Sequence, residues 1–121
     1  MMPSTFRVLT ARELRRVGGR FLRPRRLGAV LRDVGVVVAP GSDATIHDYA
    51  GALILGMVRW RPWQWRNRKA AFTSTVMVYR VNLYDVVDAD KLGRLVADAD
   101  HGTISPGALS VELEGVSRRA D

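Results

Sequence analysis

Two apolar-rich segments, Ile46–Trp60 and Phe72–Val87, are joined by eleven residues, Arg61–Ala71. That arrangement constrains the fold more than any other feature of the chain. Both segments read as strands. In the second, Met77, Tyr79, Val81 and Leu83 recur at every other position, and Val76, Val78, Arg80, Asn82 and Tyr84 form a mixed opposite face, the period of a pleated strand. The simplest pairing is a long antiparallel hairpin with the connection at its tip. A straight strand over all of Phe72–Val87 would span about 50 Å, far beyond ordinary length. Such a hairpin must bend, bulge or project beyond the domain body.

The flanks supply helices and shorter strands. Thr10–Val17 forms a short helix with Thr10 at the N-cap, Glu13 three residues on as in a capping box, and Gly18-Gly19 ending it. A second helix runs from Pro24 to Val34: Leu27, Val30 and Leu31 share one face, Gly35 stops it, and Arg25, Arg26 and Arg32 fall on the remaining surface. Val34–Ala39, closed by Pro40-Gly41, reads as a buried strand and turn. Asp88 or Asp90 caps a helix carrying Leu92, Leu95, Val96 and Ala99. Leu109, Val111 and Leu113 alternate with Ser110, Glu112 and Glu114 as a final half-exposed strand. At 121 residues one domain is expected. Its fold is α+β, with a mostly antiparallel sheet or partly open barrel. Residues 1–33 form a basic N-terminal arm of short helices and residues 34–121 the α+β core.

Charge is segregated along this chain. Residues 7–32 carry nine arginines and one acid, Glu13; residues 33–58 carry only Asp33, Asp43 and Asp48; residues 59–69 carry five basic residues and no acid; the remainder is net acidic. The whole has net charge +7. Such a field attracts an anionic partner and favours head-to-tail stacking of copies, basic end on acidic end. Alternatively, the basic and acidic segments pair with each other on folding. Of the 19 basic residues all but Lys69 and Lys91 are arginine, whose planar fork suits phosphates and carboxylates.

The densest chemistry lies at Arg59–Lys69. Trp60, Trp63 and Trp65 fall among Arg59, Arg61, Arg66, Arg68 and Lys69. Indole faces stack on unpaired bases while arginines pair with phosphate. The same composition suits a protein interface or an anionic lipid surface. It also suits core tryptophans covered by arginine stems. Upstream, Thr10–Gly19 followed by Arg23–Val36 resembles a helix-turn-helix: a short helix, a glycine-containing turn and a basic second helix. That resemblance implies that Arg25, Arg26 and Arg32 face phosphates or base edges.

Other chemistries find little support. With no cysteine, disulfide scaffolds, thiolate zinc sites and cysteine nucleophiles are excluded. Asp98–Ser105 looks like a calcium-binding loop, but it is one residue short at the fifth position. It also has Ala108 in place of the closing glutamate, and Pro106 against the motif's exiting helix. A capped helix end with an Asx-type turn fits it better. His47 beside Asp48 and His101 beside Asp100 are sequence neighbours whose side chains diverge, so neither pair forms a catalytic triad. No nucleotide-binding glycine loop or metalloprotease helix is present. Neither catalysis, a cofactor nor a metal is expected. The longest near-apolar stretch, Tyr49–Val58, holds ten residues against the ~20 of a membrane helix, and Met1–Arg7 lacks the features of a secretory leader. The chain is expected in the cytoplasm, a virion or another large assembly.

Two functions from different classes follow. One is a non-enzymatic assembly subunit contacting other copies and neighbouring subunits. Its architecture is similar to that of small connector and tail proteins of tailed phages, with basic surfaces facing an acidic partner or DNA. The other is a nucleic-acid-binding protein using the arginines of the N-terminal segment and the Trp/Arg loop. For either, the contact residues expected are Arg25, Arg26, Arg32, Arg59, Arg61, Trp63, Trp65, Arg66, Arg68 and Lys69. Contact with DNA or RNA would be electrostatic and insensitive to sequence.

Overall fold

A computed structural model describes residues 6–120 of the chain. Six helices follow in order, α1 (Ala11–Arg15), α2 (Pro24–Val37), α3 (Ile46–Trp60), α4 (Asn67–Val81), α5 (Ala89–His101) and α6 (Pro106–Val116). They are accompanied by one two-stranded antiparallel sheet, β1 (Tyr84–Val86) with β2 (Ser117–Arg119). The α+β class holds in that coarse sense. The long hairpin and the barrel do not: Ile46–Trp60 is α3, most of Phe72–Val87 lies in α4, and the two form a helical hairpin.

The physical reason differs for the two helices. A capping box starts α3, with Thr45 Oγ1 accepting from Asp48 N at 3.2 Å and Thr45 N donating to Asp48 Oδ2 at 2.9 Å. Helices α2, α4, α5 and α6 all pack on α3. It is therefore apolar nearly all round, with Ile46, Tyr49, Ala50, Leu53, Ile54, Met57 and Val58 buried. An encased helix and a buried strand share that pattern. In α4 the inward face is Ala70, Ala71, Ser74, Thr75, Val78 and Tyr79. Ser74 and Thr75 put small hydroxyl residues in that helical stripe, so hydropathy hides it. Ser74 Oγ donates to Ala70 O at 2.7 Å and Thr75 Oγ1 to Ala71 O at 2.9 Å, satisfying both inside the helix.

Val34–Ala39 is likewise no strand. Helix α2 continues past Gly35 to Val37. A mid-helix glycine costs about 1 kcal/mol relative to alanine, less than the burial of Leu27, Val30 and Val34 contributes. Gly56 permits the α2–α3 approach, since a Cβ there would lie 2.8 Å from Val30 Cγ1. The expected final strand is α6, which buries Leu109, Ser110, Leu113 and Val116. Pro106 occupies its first turn, where a missing N–H costs nothing. In place of a calcium loop, α5 ends at a left-handed Gly102, Thr103 Oγ1 donates to Asp98 O at 3.1 Å, and Ser105 caps α6.

The basic N-terminal segment is fastened to the helical body. Leu9, Leu14, Leu27 and Val30 belong to the same buried cluster as α3 and α4. Leu9 N donates to Tyr49 Oη at 2.8 Å, and Asn82 clasps Arg7 through Oδ1 and Nδ2 at 2.5 and 2.9 Å. Residue 33, where the sequence closes the arm, lies inside α2. Helix α1 has five residues and residues 16–23 separate it from α2. A compact helix-turn-helix instead uses a turn of about 3–4 residues.

Candidate functional site

The two basic stretches, far apart in sequence, meet at one place. Arg23 N donates to Pro62 O at 2.7 Å, Gln64 N donates to Phe21 O at 3.2 Å, and Leu22 stands opposite Trp63 in an antiparallel bridge. The bridge has an inner and an outer side. On the inner side Trp63 is fully buried. Its backbone is clasped by Asn67, which accepts from Trp63 N at 3.0 Å and donates to Trp63 O at 2.8 Å. Its indole lies flat against Gly18, where a Cβ would fall 2.1 Å from Cδ2. Trp63 is thus a core residue and leaves the set of contact residues.

The outer side exposes an aromatic pair. Phe21 and Trp65 are 59% and 57% exposed, with ring centroids 5.3 Å apart and planes at 84°. Both rings sit at or beside left-handed backbone: Phe21 has φ 66° and Arg66 φ 66°. Such angles are uncommon outside glycine and cost of order 1–3 kcal/mol each. Phe21 carries little signal in the sequence. Its only mark is the company it keeps, a lone aromatic beside Leu22 between Arg20 and Arg23.

Exposed cations lie within a few residues of the bridge on both of its stretches. Arg20, Arg23, Arg25, Arg26, Arg66 and Lys69 are exposed, and none makes an ion pair among the described residues. Helices α2 and α4 both begin here, at Pro24 and Asn67. Each lacks a side-chain cap and an acidic residue in its first turn, unlike α1, α3 and α5, which have both. Their positive dipole ends therefore add to the arginine field.

The other expected contacts divide. Arg61 and Arg68 are committed to Asp100, Nη1 to Oδ1 at 3.0 Å and Nε to Oδ2 at 2.5 Å. Hydrogen bonding from Arg68, reinforced by the charge of Arg61, holds the Asp100 carboxyl below its ordinary range. Arg68 Nη2 also lies 3.1 Å from His101 Nε2. Basic and acidic segments of the chain do pair there. Arg59 lies over the Trp60 ring at 5.2 Å, and Trp60 Nε1 donates to Asp33 Oδ2 at 2.8 Å. Arg32 is exposed on α2, seven residues beyond Arg25.

A second surface feature is a groove of about 620 Å³ between α2, α3 and the start of α6. Val36, Val37, Ala52 and Leu55 line it, with Asp33 and Asp43 among its polar residues. Among the described residues, no group of three or more His, Asp or Glu is placed to hold a metal ion, and no helix is long and apolar enough to cross a membrane. The sequence matches no protein-family model and no curated protein.

Proposed function

We propose that this protein binds nucleic acid through the face built where residues 21–23 bridge to residues 62–64. The observation that carries this is the backbone bridge that brings two basic stretches together, with Arg20, Arg23, Arg25, Arg26, Arg66 and Lys69 within a few residues of it in sequence, all exposed and without a carboxylate partner among the described residues. Two uncapped helix N-termini reinforce the field. Cations gathered without internal counter-charge favour a partner of dense negative charge, and a phosphate backbone is such a partner. Arg25 and Arg26 stand exposed on a helix whose other face is anchored by Leu27, Val30 and Val34, as a binding helix requires. The contact is non-specific and electrostatic, with no enzymatic step.

The test is the salt dependence of binding to a short DNA. Every phosphate that the protein ceases to neutralise lowers the log–log slope by about 0.9 for duplex and about 0.7 for single strands. Arg25→Ala/Arg26→Ala is expected to reduce the slope by the equivalent of one to two phosphates. An unchanged slope removes α2 from the interface.

One observation favours a second function, the assembly subunit. The groove beside α2 exposes apolar surface, Val36 being 78% exposed, next to Asp33 and Asp43. That is complementary in character to the basic, aromatic face and suits head-to-tail contact between copies. Light scattering of nucleic-acid-free protein while salt is lowered tests it: a defined oligomer supports assembly, and a monomer at all concentrations opposes it.

A further inference from the structure

The geometry points to a more definite ligand for the basic face: a single strand, one of whose unpaired bases stacks on the Phe21–Trp65 pair while Arg20, Arg23 and Arg66 hold the flanking phosphates. The proposal rests on the nucleic-acid function above and adds to it a preference for unpaired over duplex strands.

Three features carry it. The pair is exposed on both members, and an edge-to-face arrangement at 84° covers at most one face of one ring, leaving indole surface for a base. Its position is fixed twice over, by the Arg23–Pro62 and Gln64–Phe21 backbone hydrogen bonds and by the left-handed residues Phe21 and Arg66. A preorganised platform loses little freedom when a base lands on it. Cations also flank the rings along both strands of the bridge, Arg20 and Arg23 beside Phe21, Arg66 beside Trp65. Alternating aromatic and cationic groups match alternating base and phosphate, as in single-strand grooves. In a duplex the bases face one another, so the same surface meets phosphates alone.

The experiment compares binding of an oligothymidylate and a duplex of equal length by the full chain and by Trp65→Ala, Phe21→Ala and Trp65→Tyr, each checked for its fold by circular dichroism. Stacking supports about 1–3 kcal/mol per base. Trp65→Ala is therefore expected to weaken oligothymidylate binding by about 5- to 150-fold and duplex binding by less than about twofold. Phe21→Ala is expected to follow the same direction, and Trp65→Tyr to retain most of the affinity. Equal binding of oligothymidylate by the full chain and by both alanine variants overturns the stacking site while leaving electrostatic binding intact. Binding of neither ligand by the full chain overturns the nucleic-acid function itself. If Trp65→Ala instead abolishes self-association of nucleic-acid-free protein, the pair is a contact between copies and the proposal fails.

Discussion

Gly18→Ala is expected to be among the most damaging single-methyl additions this protein can receive. The added Cβ would lie 2.1, 2.3 and 2.6 Å from Cδ2, Cε2 and Cγ of Trp63, where carbon contacts need about 3.5–4.0 Å. The indole must therefore retreat by roughly 1.5 Å, and it has nowhere to go. It is fully buried, its backbone is clasped by Asn67 on both polar atoms, and it is paired with Leu22. Overpacking of a core costs about 1–3 kcal/mol, and so rigid a neighbour places this case near 3 kcal/mol. The backbone itself does not object, since Gly18 lies outside the left-handed region. Without the clash, alanine there would gain about 0.4–1 kcal/mol through the unfolded chain. A double-mutant cycle separates the two effects. Trp63→Ala alone costs about 3–5 kcal/mol, yet in that background Gly18→Ala becomes neutral or stabilising, a coupling of about 3 kcal/mol. Urea unfolding followed by far-ultraviolet circular dichroism measures all four corners. If Gly18→Ala is neutral on its own, or equally destabilising in both backgrounds, Trp63 is not packed where the bridge requires it.

Two further predictions concern charge. Asp100→Asn releases Arg61 and Arg68; because these are surface ion pairs, stability is expected to fall by no more than about 1 kcal/mol per pair. Affinity for DNA rises as two more guanidiniums join the basic face, and unchanged affinity would place both outside it. The stability–pH profile is expected to have two windows. Burial pushes the His47 imidazole below its ordinary value. As pH falls from about 7 through 6.5 the unfolded chain takes up a proton that the folded chain refuses, and stability declines by up to about 1.4 kcal/mol per pH unit. His47→Gln flattens that window in urea titrations at pH 5.5–7.5. Asp48 and Asp100 are held low by hydrogen bonds, from Ser110 and from Arg68 respectively. Their contribution is present above about pH 4 and is lost as pH falls through their folded values.

Local signals in the sequence are reliable where the chain acts on its own neighbours. Thr10 and Glu13 form the capping box expected of them. Pro24 opens α2, and Asp88 caps a helix that buries Leu92, Leu95, Val96 and Ala99. A second capping box, Thr45 with Asp48, starts α3 in the structure, and the strand reading of Ile46–Trp60 passes over it. The apolar run behind it points the other way, toward a strand. Alternation in Phe72–Val87 misleads in the same way, because the buried stripe of α4 passes through Ser74 and Thr75, whose hydroxyls the helix itself satisfies.

The candidate site divides along the same line. Arg25, Arg26, Arg66 and Lys69 are exposed as expected, because guanidinium and ammonium groups without partners stay in water. Which tryptophan turns inward is undetermined by composition. Trp63 and Trp65 have the same arginine-rich surroundings, and only the bridge to Leu22, with the space left by Gly18, buries the first and leaves the second outside. The partner of Trp65 is likewise out of reach, since Phe21 lies more than forty residues away. Sequence by itself determined charge segregation, the starts of α1, α2 and α5 and the absence of cysteine chemistry, because these depend on residue type and short-range backbone geometry. Tertiary structure alone decided helix over strand in the encased segments and which arginines are spent on Asp100. It also decided which aromatic rings face solvent, because each depends on what packs against the residue from a distant part of the chain.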